Sequence, residues 1–444
     1  MANFKVKNGL QAGRYLLNST TLSGSTIDLS LASMFSTTLS SDPAYAFTNP
    51  PPSGTAQAFS VEVTGGTTNF VNDSFATTTY SGTGAYPSGG TSQTITNGLD
   101  LSGDGGLVWI KARNTDTRHA LFDTERGITK MQNSADSAAD TTVGTRTFTS
   151  FNSDGFTLGD EGEGWGRTNT TGNTYVSWTF KKQSSFFDIV TYTGTSAVQN
   201  ISHSLGSVPG MIIVKCTNTA KNWGVYHRSV GSTKYLQLNT TGEANINSGF
   251  WNNTDPTSTQ FTLGTQSNVN GNGNTYVAYL FAHDTASDSR IKCGSYTGNG
   301  ATTGVFQDLG WQPQWIMIKN TDLSTEQWHI FDNVRGVVTD GADQRLEASR
   351  DVAEAAADAV DFTATGFYPK TVDDKTNGSG HSYIYMAIRG AAATDSAITW
   401  PSSVKWPSGL APTTPAPGKK DLFTFLTTDG GTTYYGKKAA EGIA

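Results

Sequence analysis

The chain has only two cysteines, Cys216 and Cys293, in 444 residues. Two thiols are too few for a disulfide framework or a zinc site. They read as two buried thiols, with a disulfide between them as the alternative. Charge is also scarce: 15% of residues are charged, against roughly 25% in ordinary soluble domains. The net charge of −7 comes without a basic stripe, which argues against a nucleic-acid partner. No apolar run approaches the roughly 18 residues of a membrane-spanning helix, so no membrane insertion is expected. The opening "MANFKVKNGLQAGRYLL" has no apolar stretch after its lysines, and no secretory leader is expected from it. Phosphate-binding loops, nucleophile elbows and paired metal-ligand histidines are missing as well. The sequence therefore predicts a protein that is not an enzyme and takes no cofactor and no metal.

What the chain does have is Gly, Thr, Ser, Asn and aromatic residues, the last at 11%. That aromatic content is too high for a disordered chain. With so little charge and so many turn formers, it predicts an all-β protein of short strands. The length allows two to four domains, each with its own core.

Internal repetition organises the chain. An apolar strand ending in lysine occurs as "LVWIK", "IIVK" and "IMIK", closing at Lys111, Lys215 and Lys319, each 104 residues after the last. "FDTERG", "YHRSVG" and "FDNVRG" follow in the same order, and then "DGFTLG", "TQFTLG" and "TGFYPK". A closing strand comes after a Gly/Asn turn in "NTTGNTYVSWTF", "NGNGNTYVAYLF" and "NGSGHSYIYMAI". A lead-in strand opens each copy at Tyr80, Tyr192 and Tyr296. The lysine strands are short apolar runs, as in strands buried on both faces, whereas "TYVAYLF" alternates. The pattern predicts three tandem antiparallel β-sandwich modules over residues 65–184, 185–285 and 286–391. Helix is expected to be scarce, with "SRDVAEAAADAVDF" of the third copy the best candidate, where Ala-rich spacing supports two or three turns.

Residues 1–64 and 392–444 flank the modules. Each piece alone is too short to bury much apolar surface, so together they predict one small split β domain. In this reading "FSVEVTGG" and "SAITWP" are neighbouring strands, Trp400 and Trp406 staple the core, and "TDGGTTYY" is a hairpin. Insertion of the modules at a loop tip is the physically cheap arrangement. The flanks carry eight basic and seven acidic residues, which leaves the inserted part at −8. That division suggests a near-neutral mount and an acidic displayed region.

The segments "FKVKNGLQA", "FTNPPPSGTAQAFSVEVTGG" and "ITWPSSVKWPSGLAPTTPAPGKKDLFTFLTTDGGTTYYG" resemble the flanking domain of tailed-phage fibre and virion structural proteins, particularly of marine and cyanobacterial phages. The repeats, with "LVWIKARNTDTRHALFDTERG", "FNSDGFTLG" and "TYVAYLF", are similar to a lectin-like, concanavalin- or jelly-roll-type phage-tail repeat. The third copy departs most, with "TGFYPKTVDD" in place of "DGFTLG".

The resemblance implies a virion protein exposed on a bacteriophage particle. It would be fixed to other virion proteins by the split domain and would attach weakly to host cell-surface glycan, with avidity from repetition. A fibre of this kind is expected to be a homo-oligomer, with a trimer the first candidate. A capsid decoration or head-fibre protein is the alternative, and a polysaccharide depolymerase a remote one that would need a facing carboxylate pair.

Few residues stand out as a site. His119, His203, His227, His283, His329 and His381 are scattered and read as structural. The pairs Asp123 with Arg126 and Asp332 with Arg335 read as structural bridges across a turn near the surface. "GDEGEGWGR" offers Asp160, Glu161 and Glu163 as oxygen ligands for Ca²⁺, against the plainer reading of a solvated loop. Trp165 and Trp251 are the candidate glycan contacts, each weighed against packing on its own module.

Overall fold

The computed structural model describes residues 19–21, 26–29, 34–38, 46–50, 57–64, 73–85, 90–160, 168–285, 289–390, 400–407, 420–429 and 431–443. The protein is all-β, with several antiparallel sheets. The helices among the described residues are two four-residue turns, Ser248–Trp251 and Ser267–Asn270. The chain divides into two compact units, residues 71–392 and a split unit made of 1–70 with 393–444.

In the split unit the two ends of the chain share one mixed sheet. Its order is Ser19–Thr21, Met34–Thr38, Gln57–Thr64, Lys420–Thr427, Tyr434–Ile443, Val404–Lys405. The first three strands run parallel, and the strands from the two ends then pair antiparallel, with Val61 opposite Phe423. The neighbour of "FSVEVT" is therefore "KDLFTFLT" rather than the predicted "SAITWP", whose residues 396–399 lie outside those described. Alternation explains the choice: Phe423, Phe425 and Thr427 all point inward and are buried. Phe59 stacks on Phe425 at 5.1 Å and meets Phe47 edge-on at 5.2 Å. Trp400 closes this aromatic core over Phe423 and Phe425, at 5.3 and 5.0 Å, with Trp406 beside it.

The three modules have one topology. The large sheet runs lead-in strand, closing strand, lysine strand, then the "FD/YH" strand. In the first module these are Phe75–Ser81, Thr174–Lys181, Gly106–Ala112 and Ala120–Asp123. In the second they are Phe187–Thr193, Thr275–Ala282, Pro209–Cys216 and Gly224–His227. In the third they are Ile291–Thr297, Ser382–Arg389, Pro313–Asn320 and Trp328–Asp332. A small sheet covers one face, built for example from Phe148–Asn152, Gly155–Leu158 and Gln93–Thr96.

The lysine strands are buried on both faces because each face has a different cover. In the first module Val108 and Ile110 pack with Phe122, Phe156 and Leu158 inside the sandwich. Leu107 and Trp109 point the other way, into a second core shared by all three modules. The third module repeats this, with Ile316 and Ile318 inside and Trp315 and Met317 in the shared core. The modules are thus fused through a common apolar centre and are not beads on a string.

The predicted helix in "SRDVAEAAADAVDF" does not form. Ala355–Ala357 is an edge strand on Asp343–Glu347, and Val360–Thr363 is a further strand. The segment's N–H groups are taken by tertiary partners. The Asp343 carboxylate accepts from Ala359 and Val360 at 2.8 and 2.9 Å, and Asp116 accepts from Ala353 at 2.8 Å. Alanine's helix preference amounts to a few tenths of a kcal/mol per residue, less than these bonds supply.

Truncation of Phe59 to alanine removes the ring at the centre of the split unit's aromatic cluster. Phe59→Ala is expected to destabilise that unit by about 3–5 kcal/mol. Amide exchange along Gln57–Thr64 and Lys420–Thr427 should speed up together, because the two ends form one sheet.

Candidate functional site

Each module carries the same internal lock behind its Gly/Asn loop. The tyrosine of the lead-in strand lies directly opposite the tyrosine of the closing strand. Tyr80 stacks on Tyr175, Tyr192 on Tyr276 and Tyr296 on Tyr383, at 5.1, 5.1 and 4.9 Å and within 13° of parallel. The outer hydroxyls donate to Thr168, Val269 and Thr376 carbonyls, and burial raises their pKa well above the ordinary tyrosine range. The inner hydroxyls accept from the loop N–H groups of Thr170, Gly271 and Gly378.

The first asparagine of each loop, Asn169, Asn270 or Asn377, is fully buried. Asn270 donates to the Ala197 and Gly264 carbonyls, both at 2.6 Å, and accepts from Thr195 N–H and Gln199 Nε2 at 2.8 and 2.7 Å. Asn169 joins the Thr91 and Gly159 carbonyls in the same way, and Asn377 reaches Asn299 and Ala301. Glycine follows the lead-in strand because the loop backbone crosses there. A Cβ on Gly194 would sit 2.3 Å from the Gly271 oxygen, and one on Gly82 would sit 2.0 Å from that of Thr170. The loop tips Thr171–Gly172, Asn272–Gly273 and Ser379–Gly380 remain exposed. These tips on fixed stems are the displayed polar surface of the modules.

The modules meet at three joints, and the joints are equivalent. A residue just after each lysine strand, Thr217, Thr321 or Arg113, offers its carbonyl to a neighbour's N–H, from Asp140, Ala244 or Glu354 respectively, at 2.8 to 2.9 Å. The Trp223 indole donates into the first module, to Asn133 and Asp136 carbonyls, and the Trp328 indole donates into the second, to Gln237. His119 fills the equivalent place, with Nε2 against the Glu347 and Arg350 carbonyls of the third module and Nδ1 accepting from Trp109. The contacts run second to first, third to second and first to third, which closes a ring.

The repeat lysines sit at these joints. Lys215 donates its three protons to Cys216, Lys221 and, across the joint, Ser137 carbonyls. Lys319 likewise reaches Asn320 and, across its joint, Thr241. Lys111 reaches Ala112 and Thr115 within its own module. Desolvation pulls all three ammonium groups down to about 8.

The Asp–Arg pairs prove to be buried and not near the surface: Arg126 and Asp123 side chains are 5% and 0% exposed, and Arg335 and Asp332 both 0%. Each aspartate also accepts across a joint. Asp123 takes the Tyr279 hydroxyl at 2.7 Å, and Asp332 the Trp178 indole at 3.0 Å. The second module's His227 faces the third module, where Met386 replaces Tyr279 and Trp178 and offers no such donor. The histidine turns to the Tyr385 carbonyl at 3.1 Å instead.

Of the sequence-predicted site residues, Trp251 is 1% exposed, packed beside Phe250 and Tyr226, and presents no face to a sugar. Trp165, Glu161 and Glu163 lie outside the described residues, and Asp160 pairs with Arg146 at 2.7 Å. Cys216 and Cys293 are buried free thiols. Sequence reasoning missed the asparagine lock, whose signal is the recurrence of Asn169, Asn270 and Asn377 at the same place in all three copies.

The fold and joints define a triplicated β-sandwich ring. Residues 71–391 match the family described as "Domain of unknown function (DUF7483)", and the chain belongs to that family. No curated protein matches the chain. Among solved structures it is similar to one titled "Crystal Structure of the STIV MCP", over 46% of this chain and 85% of that one, at 7% identity and a TM-score of 0.12. A likeness that slight informs neither fold nor function.

Removing the lock in one copy strands its partners, so Asn270→Ala is expected to destabilise the repeat unit by about 3 kcal/mol in denaturant unfolding. Acid should loosen two joints. Burial holds His119 and His227 down to about 3 and about 4, below the ordinary 6.5 or so of an unfolded chain. The unfolded state therefore binds more protons, and the stabilisation, whole above roughly pH 6.5, is lost as pH falls towards 4. The loss is on the order of 3 kcal/mol for His227. Thermal unfolding over that range should show the slope, and His119→Gln with His227→Gln should reduce it, leaving the part owed to His203, His283 and His329, which burial also holds down.

Proposed function

We propose that the protein is a non-enzymatic structural component of a tailed-phage particle that displays β-sandwich modules for attachment to host-surface glycan. The observation that carries this reading is the triplicated lock. In every module a stacked tyrosine pair and a buried, multiply hydrogen-bonded asparagine hold one exposed Asn/Thr/Ser/Gly loop tip on a rigid stem. Rigid polar tips lose little conformational entropy on contact, and weak contacts repeated on one body gain by avidity. The side chains with chemistry to offer are occupied inside. His119 and His227, Lys215 and Lys319, and both Asp–Arg pairs are engaged at the joints, and Lys111 is engaged within its own module. The resemblance of the flanking segments to phage virion proteins supports the split unit as the particle-bound end.

The full chain is expected to bind host-surface polysaccharide on a glycan array without releasing reducing sugar. Substitution of the tips, Asn272→Ala with Ser379→Ala, should weaken binding at least tenfold and leave the unfolding midpoint in place. Uniform silence on the array would sink the adhesin reading in favour of a spacer, and sugar release would replace it with a depolymerase. Labelling intact particles would separate a tail from a capsid position.

A further inference from the structure

The three joints are equivalent in position but not in how the chain supports them. The backbone passes directly from the first module to the second at residues 182–187, and from the second to the third at 282–291. Within the repeat unit it does not pass from the third back to the first. A joint without a tether must hold by its contacts alone, since no linker raises the local concentration of its two sides.

Each joint is made by one arm of equal length that reaches into the neighbour: residues 133–140, 237–244 and 347–354. The first arm meets the second module through Asn133, Asp136, Ser137 and Asp140 carbonyls or N–H groups. Asp140 adds an ion pair to Arg126 of its own module, as Glu354 of the third arm does to Arg335 at 3.6 Å. The second arm meets the third module through the Gln237 and Thr241 carbonyls and the Ala244 N–H. The third arm lacks the lysine contact, since Lys111 bonds within its own module, but it offers the Glu347 and Arg350 carbonyls to His119 and the Glu354 N–H to Arg113, and adds more. Glu354 holds Arg113 of the first module in a fork, 3.0 Å from Nε and 2.7 Å from Nη2. Asp116 accepts the Ala353 N–H, Ser134 donates to the Ala348 carbonyl at 2.6 Å, and Asn133 donates to Asp351. Asp351 and Glu354 of "EASRDVAE" thus reach across where the covalent link is missing.

We infer that residues 347–354 are the latch that closes the ring, with the Arg113–Glu354 fork as its catch. A latch of this kind makes the three modules an intramolecular counterpart of a trimer. The face that three separate chains would use is occupied by the chain's own modules. When the latch opens, the third joint parts while the two tethered joints stay paired.

Hydrogen exchange on the full chain tests this directly. Arg113→Glu is expected to speed exchange by tenfold or more along Ala120–Asp123, Trp328–Asp332 and residues 347–354. Exchange at Gly224–His227, at residues 136–140 of the first arm and along the second arm should remain within about twofold. The charge-swapped pair, Arg113→Glu with Glu354→Arg, should restore most of the protection. Raised salt should mimic the single substitution in part, because the pair is partly solvent-exposed. If Arg113→Glu fails to fold, Glu354→Gln provides the same comparison with charge removed and shape kept. Equal acceleration at all three joints, no acceleration at the third, or no rescue by the swap would overturn the inference.

Discussion

Each module's large sheet is apolar on both faces, and one module has only one small sheet with which to cover it. Everything else in the repeat unit follows from that shortage. Trp109, Trp178, Trp315 and Met317 point away from their own sandwiches, and left in water they would form an exposed patch too large for a stable monomeric domain. Two modules face to face would cover one another but would leave no place for a third of the same shape. Three copies, each turned towards the next, bury every such face once. The triplication is therefore a requirement of the core before it is a feature of any surface.

Closing apolar faces around a centre also traps polar backbone at the rims, where loops must turn. Buried carbonyls need donors, and the repeated lysine meets that need with three protons on one flexible stem. Its cost is desolvation, visible in pKa values brought down to about 8. The tryptophans at 223 and 328 serve the same end with a rigid ring, filling volume on one side and donating on the other. Stability and the position of the loop tips are thus set by one set of contacts.

Much of this was legible in the sequence and some was not. Recurrence at fixed spacing gave the modules, and the unbroken apolar run at the lysine strands implied burial on both faces. Nothing local says what covers the second face, because its partner lies a whole module away. The alanine-rich segment failed for the same reason. Its helix preference is real, but Asp343 and Asp116 compete for its N–H groups, and neither is near in sequence. In sequence, "YHRSVG" simply lacks the aspartate of "FDTERG" and "FDNVRG". Only the joint shows that its opposite number had lost a donor too.

That last pairing says how the copies diverged. Asp123 with Tyr279, and Asp332 with Trp178, each join an acceptor in one module to a donor in the next. At the remaining joint the acceptor is replaced by His227 and the donor by Met386, and the new bond runs to a main-chain carbonyl. A substitution on one side is matched across the joint, not within the module that carries it. Moving the second module into another position would leave a buried aspartate with its arginine but without its cross-joint donor, at a cost of about 1–3 kcal/mol. The modules share one topology, yet their order is encoded at the joints. An arrangement that began as interchangeable copies can in this way hold a single register, since each wrong neighbour leaves a buried polar group unpaired.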